Sequence, residues 1–360
     1  MGMEVALLLS AAGVGALICL KATPIGRRLG VLDHPDNVRK QHKRATPQVG
    51  GISVILGLML WISASTLFTG LQLHGLLVPI LLCGTGVAIV GFTDDQNGMS
   101  PLARLAFLTV FVLIAFVLDS ELIASKLNTV LFSAVPIPIW GYIVLMLVAS
   151  LGIVNAVNMA DGQDGVAAGM FVIWSACLVY LTTGPIRAIA AVLHVLCLVF
   201  LVFNLRPRNK VFLGDCGSYG ITFIIGMIAV LLHAKGVAAI ETILVWFFIP
   251  MVDCLRLLVV RAKNGNSPFL ADRDHFHHRL EQRFGKRLAL VSYLGAVAGT
   301  SAMSTILPHW APICLCILTG FYFFMTFARE KADVRLEPQQ VESLKPSNVV
   351  SISGNRRGAA

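Results

Sequence analysis

The stretch IWGYIVLMLVASLGIVNAVNMADGQDG (139–165) joins a long apolar run directly to a cluster of amides and carboxylates. Its first part, 139–154, contains no charged side chain. Since the hydrocarbon core of a bilayer is about 30 Å thick and needs roughly 20 apolar residues to cross it, this part predicts a membrane-spanning helix. The polar part then lies where that helix leaves the membrane.

The polar side chains of this stretch recur at three-residue spacing, at Asn155, Asn158, Asp161 and Asp164. On a straight helix of about 3.6 residues per turn, three such steps rotate a side chain through half a turn, so the four groups cannot face one point. We therefore expect the helix to end near Met159, with the two Asn on its last turn and the two Asp on a glycine-containing loop. This set suits a nucleotide or a hydrated metal ion, although Asx turns around glycines would also explain it.

The composition of the whole chain supports a membrane protein. Of its 360 residues, 56% are hydrophobic and 13% are charged, and the mean hydropathy is +0.79. A soluble domain carries about a quarter charged residues. We predict an all-α polytopic membrane protein with about eleven spans, near 4–22, 48–69, 75–93, 102–119, 139–158, 167–183, 186–204, 216–233, 238–260, 288–306 and 309–328.

The distribution of positive charge predicts the topology. Loops 21–47 and 261–287 each hold seven Lys and Arg residues, whereas loop 120–138 holds one. Basic residues stay on the cytoplasmic side of a membrane, so the N-terminus is expected outside and the C-terminus in the cytoplasm. The net charge of +9 is then explained by topology, and we expect no nucleic-acid partner.

The chain is expected to consist of one integral membrane domain, 1–328, and a cytoplasmic tail, 329–360. The tail is polar and shows no periodicity, which is typical of a disordered segment. The polar and charged clusters all fall in predicted cytoplasmic loops. We therefore expect the active site on the cytoplasmic loops.

Two acidic motifs lie at predicted helix ends. Asp94 and Asp95 are adjacent carboxylates, whose repulsion at a membrane surface indicates a nearby cation or proton, although a solvated turn would also accommodate them. Asp215 lies between two glycines just before a helix expected near Ser218. A helix start attracts phosphate, so an anionic ligand beside this Asp would require a cation between them; N-capping by Asp215 is the alternative.

Two further motifs carry His and Arg residues. HFHHR (275–279) could hold a transition metal, but the cationic neighbours and the absence of Cys favour phosphate. Asp253 and Arg256 lie three residues apart in an apolar helix and predict an ion pair that also supports this His run. Taken together, carboxylates, cations and helix ends indicate Mg²⁺, with Mn²⁺ as the alternative, and phosphoryl transfer. No glycine-rich phosphate-binding loop of the ATPase type is present.

Five ordered motifs make the sequence similar to the polyprenyl-phosphate N-acetylhexosamine-1-phosphate transferase family, glycosyltransferase family 4. They are DD (94–95), NAVNMADGQDG (155–165), VFLGDCGS (211–218), PMVDCLRLLVVR (250–261) and SPFLADRDHFHH (267–278). With RKQHKRATPQVGG (39–51), the resemblance covers nearly the whole chain. The HFHH run most resembles the undecaprenyl-phosphate branch that uses N-acetylglucosamine (GlcNAc).

The resemblance implies a reaction and its partners. N-acetylhexosamine-1-phosphate, with GlcNAc preferred, would pass from a UDP-sugar to undecaprenyl phosphate with release of UMP, as the first membrane step of cell-envelope polysaccharide synthesis. The partners would be undecaprenyl phosphate, a UDP-N-acetylhexosamine and membrane lipid, with a homodimer left open. Another N-acetylhexosamine donor is an alternative. A transporter or flippase is a more distant one, disfavoured because its charges should line a path at mid-membrane.

Carried over motif by motif, the resemblance also implies site residues. Asp215 would hold Mg²⁺, with Asn158 assisting the metal or the nucleotide. Asp94, supported by Asp95, would orient or deprotonate the lipid phosphate. We expect orientation, because a phosphate with a second pKa of about 6 is already ionised at neutral pH; a covalent Asp–phosphate intermediate is the rival mechanism. Asp161, Asp164 and Asn204 would line the nucleotide-sugar site with Lys43 near the nucleotide, His277 and His278 would hold the diphosphate or sugar, and the further substrate-binding candidates are Thr46, Asn155, His275 and Arg279.

Overall fold

Each of the eleven predicted spans coincides with a helix in the computed structural model, which describes residues 2–35, 45–73, 75, 77–265, 267 and 274–327. Ten helices of this described part are long and apolar enough to cross a membrane, which confirms an all-α polytopic membrane protein. The helices are α1 (Gly2–Leu20), α2 (Ala22–Leu29), α3 (Gly50–Thr69), α4 (Leu77–Asn97), α5 (Pro101–Leu118), α6 (Ile139–Ala160), α7 (Val166–Leu181), α8 (Gly184–Asn204), α9 (Gly214–Ala234), α10 (Ile240–Lys263), α11 (Phe276–Ile306) and α12 (Ala311–Phe327).

Helix α7 is the shortest of the eleven apolar helices. Its 16 residues extend about 24 Å at 1.5 Å per residue, less than the hydrocarbon thickness of a bilayer. It packs against α8 and α11, and most of its side chains are buried within the protein. A helix enclosed by its neighbours in this way contacts little lipid, so its length need not match the bilayer.

Helix α9 forms the centre of the bundle. Its whole apolar span is buried, and it contacts α3, α4, α6 and α7. Glycines make this close packing feasible: a Cβ atom on Gly51 of α3 would lie 2.1 Å from the backbone nitrogen of Gly217, and one on Gly91 of α4 would lie 2.3 Å from the carbonyl oxygen of Asp215. Such small residues let helix backbones approach each other in a membrane, where packing drives association. The first turn of α9 is thereby fixed between α3 and α4.

One end of the bundle gathers the polar motifs. A two-stranded pair, β1 (Leu32–Asp33) with β2 (Thr46–Pro47), packs beside the loop that leads into α9, and the Phe212 N–H donates to the Pro47 carbonyl at 2.9 Å. Backbone N–H groups at the start of α3 donate to the Phe212 and Leu213 carbonyls. The start of α3 and the start of α9 are therefore held side by side.

The opposite end carries a small hairpin, β3 (Lys126–Thr129) with β4 (Ser133–Pro136), in the longest predicted outer loop. The Asn128 amide donates to the carbonyl of His233 at 2.8 Å, and the Val130 N–H donates to the Glu241 carboxylate at 3.0 Å. These bonds attach the hairpin to the ends of α9 and α10.

Two helix starts differ from the predicted ones. Helix α9 begins at Gly214, so Asp215 lies in its first turn instead of preceding the helix. Helix α11 begins at Phe276 instead of near 288, so His277 and His278 lie on a helix and not on a loop. Gly285, with a φ of 75° and a ψ of 163°, interrupts this helix and separates its His-bearing start from the apolar span. A glycine tolerates this left-handed conformation, so the break needs no loop.

Candidate active site

Asp95 caps the helix on which Asp215 lies. Its Oδ1 accepts the N–H of Asp215 at 2.9 Å, its Oδ2 accepts the N–H of Cys216 at 3.0 Å, and the Gln48 amide donates to Oδ1 at 3.2 Å. A carboxylate placed on the free amides of a first turn stabilises a helix start. The helix start that was expected to attract phosphate, or to be capped by Asp215, is therefore capped by a residue of α4.

Asp94 faces a different set of groups although it is adjacent in sequence. It is 8% exposed, and its Oδ1 accepts the Met99 N–H at 2.6 Å. Its Oδ2 accepts the Tyr219 hydroxyl at 3.1 Å and lies 3.3 Å from the Nε of Arg104. The two adjacent acids therefore have different partners. Asp95 links α4 to the start of α9, and Asp94 forms an ion pair with Arg104.

Asp215 is joined to the end of α6 by an amide. Asn158 donates from Nδ2 to the Asp215 Oδ1 at 2.7 Å and to the Ser218 Oγ at 2.9 Å. The Tyr219 hydroxyl lies 3.4 Å from the Asp215 Oδ2. Because both contacts of Asn158 use its amide nitrogen, its carbonyl oxygen is left for a cation or a ligand.

Sequence reasoning missed Tyr219 and Arg104. Arg104 donates from Nη1 to the Tyr219 hydroxyl at 2.9 Å, so this pair connects α5 and α9 to Asp94 on α4. Both residues lie in apolar helices outside the quoted motifs. The available signal was the position of Tyr219 one turn after Asp215, which places the two side chains on the same face of α9.

The loop between α6 and α7 presents two carboxylates, as the spacing predicted. Helix α6 ends at Ala160, and Gly165, with a φ of 87°, starts α7. The Asp164 carboxylate forms an ion pair with Lys210. The Asp161 N–H donates to carbonyls of the last turn of α6, whereas its carboxylate has no hydrogen-bond or ion-pair partner among the described residues and can bind a ligand.

The charge around Asp161 is predominantly negative. Burial raises the pKa of Asp161 well above its ordinary value, and the carboxylates of Asp215, Asp164 and Asp95 raise it further. These interactions place the acids of three motifs close together. Each proton or cation bound here relieves repulsion among them.

Two predicted binding residues are engaged by the protein itself. Asn204 is 5% exposed; it accepts the Gly165 N–H at 2.6 Å and donates to the Val211 carbonyl at 2.9 Å. Asn155 donates to the Leu151 carbonyl of its own helix at 2.7 Å. The structure thus gives Asn204 the role of joining two loops, and it separates the contacts of Asn155 from those of Asn158.

Asp253 fixes the start of the His-bearing helix. Its Oδ1 accepts the Tyr322 hydroxyl at 2.8 Å and the Arg256 Nη2 at 3.0 Å. Its Oδ2 accepts the Phe276 N–H at 3.1 Å and lies 3.3 Å from the His275 Nδ1. The predicted Asp253–Arg256 ion pair and its support of the His run are both confirmed.

The three His rings cluster near the Asp-containing loop. The rings of His277 and His278 lie 4.2 Å apart, and those of His275 and His277 lie 5.5 Å apart. A Cβ atom on Gly162 would lie 2.5 Å from the Nε2 of His277, so loop 161–165 and α11 are in direct contact. Arg279 donates to the Asp274 carboxylate and to the Thr326 carbonyl, both at 2.8 Å, and so ties α11 to α12.

Thr46 and Lys43 are the remaining site candidates. Thr46 is buried in β2, two residues before the Gln48 that contacts Asp95. Lys43 lies outside the described residues. The predicted binding roles of Lys43 and Thr46 therefore stay predictions.

The acidic groups suit a hard divalent cation. Asp215, Asp161 and Asn158 offer oxygen atoms, and the surrounding carboxylates outnumber the cationic partners Arg104 and Lys210. Among the described residues, no three His, Cys, Asp or Glu side chains form a group that could hold a metal by themselves. Mg²⁺ is commonly held by one or two carboxylates and completed by substrate phosphates and water, so the residues fit this ion.

Comparison with known proteins finds relatives of this chain. The model of glycosyl transferase family 4 matches residues 77–233, from α4 to the last turn of α9, which include Asp94, Asp95 and Asp215. Decaprenyl-phosphate N-acetylglucosaminephosphotransferase of Mycobacterium tuberculosis is 29% identical over 78% of this chain and 77% of that protein.

Two further relatives have similar names and coverage. The probable undecaprenyl-phosphate N-acetylglucosaminyl 1-phosphate transferase of Bacillus subtilis is 28% identical over 81% of this chain and 82% of its own length. Undecaprenyl-phosphate alpha-N-acetylglucosaminyl 1-phosphate transferase of Escherichia coli is 28% identical over 84% of this chain and 85% of its own. The matched range holds the acidic centre, and the relatives cover more than three quarters of the chain. This chain is therefore similar to glycosyl transferase family 4, and its relatives indicate a membrane protein of the phosphotransferase class.

Proposed function

We propose that this protein transfers GlcNAc-1-phosphate from UDP-GlcNAc to undecaprenyl phosphate and releases UMP, at the cytoplasmic face of the bacterial inner membrane. The observation that carries the proposal is the Asp215 centre. This centre comprises Asp94 and Asp95 of α4, Asp161 and Asp164 of the loop after α6, and Asp215 of α9, which converge at one end of the bundle, and Asn158 of α6 donates to Asp215 across 57 residues of sequence. An end of a membrane-spanning bundle is where a soluble diphosphate and a lipid phosphate can meet. The names of the relatives support the same reaction.

The chemistry is an exchange of one phosphorus–oxygen bond. An oxygen of the acceptor phosphate bonds to the phosphorus next to the sugar, the bond from that phosphorus to the bridging oxygen breaks, and UMP leaves with the electron pair. Asp215 and Asn158 would hold Mg²⁺, which when bound neutralises charge on the diphosphate and on the departing UMP. Phosphoryl transfer of this kind requires mainly positioning and charge neutralisation.

The side chains of the protein would supply the positioning. Asp94 is held by two hydrogen bonds and an ion pair, which suits a group that orients the acceptor better than a nucleophile that must form a covalent bond. His277 and His278, fixed through the Asp253 network, would face the sugar or diphosphate from α11. Asp161 would contact the nucleotide-sugar from the loop after α6.

The test is UMP release by the full chain in detergent, with undecaprenyl phosphate, Mg²⁺ and a panel of UDP-N-acetylhexosamines. We expect UMP with UDP-GlcNAc, its loss on chelation, and its recovery when Mg²⁺ or Mn²⁺ is added. Faster turnover with UDP-GalNAc would keep the reaction and change the donor. If no UDP-sugar releases UMP, the enzyme assignment fails and the transporter alternative regains weight.

A further inference from the structure

The Asp94 carboxylate is unusually restrained for a residue of a cation-binding centre. The Met99 N–H donates to its Oδ1 and the Tyr219 hydroxyl donates to its Oδ2, while Arg104 forms an ion pair with Oδ2. These three groups come from the turn after α4, from α9 and from α5. A carboxylate with both oxygens engaged gives up hydrogen bonds before it can bind a metal ion directly.

Tyr219 lies between the two acids and can serve only one of them at a time. Its hydroxyl has a single proton, 3.1 Å from the Asp94 Oδ2 and 3.4 Å from the Asp215 Oδ2, and its oxygen already accepts from Arg104. The residue is 1% exposed, so packing fixes the position of the hydroxyl. The hydroxyl is therefore a fixed donor that favours Asp94.

Arg104 contacts both Asp94 and Tyr219 through one guanidinium group. One guanidinium places its Nε at the Asp94 Oδ2 and its Nη1 at the Tyr219 hydroxyl, a two-pronged geometry that a Lys ammonium cannot reproduce. Its charge also compensates Asp94 locally. Asp215, in contrast, receives a neutral amide from Asn158 and keeps its charge for another cation.

We propose that Tyr219 and Arg104 are positioning residues that restrain Asp94 from the metal ion, so that Asp215 binds the cation and Asp94 faces the acceptor phosphate. The division of labour between the two acids then depends on this pair, and not on the acids alone. The kinetic part of the proposal rests on the proposed function, whereas the metal-binding part does not.

The test uses Tyr219→Phe, which removes only the hydroxyl, in the full chain in detergent. Two quantities are measured: Mn²⁺ binding without substrates, by electron paramagnetic resonance, and steady-state UMP release. Losing a hydrogen bond to a charged group should lower kcat about tenfold and leave KM for the UDP-sugar within about twofold. Mn²⁺ should bind several-fold more tightly, because Asp94 becomes available to it.

Two further variants complete the experiment. Arg104→Lys keeps the charge, loses the two-pronged geometry, and should reproduce both effects. Tyr142→Phe is the matched control, because that buried hydroxyl has no hydrogen-bond partner among the described residues, and its removal should change neither quantity. Thermal unfolding of each variant in detergent establishes that it is folded.

The outcomes separate this inference from the proposed function. If the unaltered chain releases no UMP, the proposed function fails, and the Mn²⁺ affinities of the variants still decide whether Asp94 is restrained. If Tyr219→Phe binds Mn²⁺ with unchanged or weaker affinity, the restraint is overturned even when kcat falls.

Discussion

Two buried acidic networks lie at the same end of the bundle, and only one has its charge balanced. The Asp253 carboxylate receives hydrogen bonds from Tyr322, Arg256 and the Phe276 N–H, with His275 close by. The Asp215 centre gathers acids from three motifs around Arg104, with Lys210 paired to Asp164 at its edge. A saturated carboxylate fixes structure, whereas uncompensated carboxylates remain able to bind a cation.

Asp215→Asn should have the largest effect on activity. It removes the charge that would hold the metal ion while preserving the size of the side chain, so UMP release should fall about a thousandfold or more. The variant should still insert and should unfold at an equal or higher temperature, since repulsion within the centre is reduced. Full activity in Asp215→Asn would remove this residue from the metal site.

Asp253→Asn should have the reverse profile. The variant takes from Arg256 one of its two carboxylate partners, the other being Asp274, and weakens the hydrogen bonds that fix the start of α11, which should cost about 2 kcal/mol of stability. Thermal unfolding in detergent measures this loss, and Mn²⁺ affinity at low temperature should stay within about twofold, because Asp253 is not part of the Asp215 centre. A variant as stable as the parent, with weakened Mn²⁺ binding, would make Asp253 a ligand-binding residue.

Gly91→Ala tests the packing that positions Asp215 and changes no charge. The new Cβ atom would meet the Asp215 carbonyl oxygen at 2.3 Å, so the first turn of α9 must shift, at a cost of about 2 kcal/mol. Activity should fall with stability. The control is Gly226→Ala in α9, where no atom lies within 4 Å of the new Cβ position, and it should be neutral.

The pH dependence of cation binding should give the smallest effect. Because burial and neighbouring acids raise the pKa of Asp161, the folded protein keeps this proton over a pH range in which the unfolded chain has lost it. The contribution of Asp161 to stability therefore falls as pH rises through that range, and Mn²⁺ affinity rises as the proton leaves. In Asp161→Asn, Mn²⁺ affinity should depend less on pH, with a change in affinity of several-fold at most. If the dependence of Mn²⁺ affinity on pH is unchanged in this variant, another acid causes it.

The sequence predicted the helices well because each span carries its own signal. A run of about 20 apolar residues is decisive by itself, and even the short-looped segments 75–93 and 186–204 proved to be helices. The end of α6 at Ala160 agreed with the expected Met159 because Asn, Asp and Gly mark such ends locally. Helix starts were harder, since α9 starts early on account of Asp95, which is 120 residues distant.

The site was predictable only in part, for the same reason. Asp94, Asp215 and Asn158 were identified from their motifs, and the structure brings them together. Their different roles depend on which donors face each oxygen, and those donors come from other helices. Arg104 and Tyr219 resemble any polar residue in an apolar helix until the packing of α5 against α4 places them beside an acid.

The Asp95 cap has a consequence for biogenesis. Helix α9 leaves the ribosome long after α4, and its first N–H groups have no partner within their own helix. They find their partner only when α9 docks against α4, and the same event places Asp215 opposite Asn158. The docking of α9 against α4 and the assembly of the acidic centre are therefore one event, made by the same hydrogen bonds.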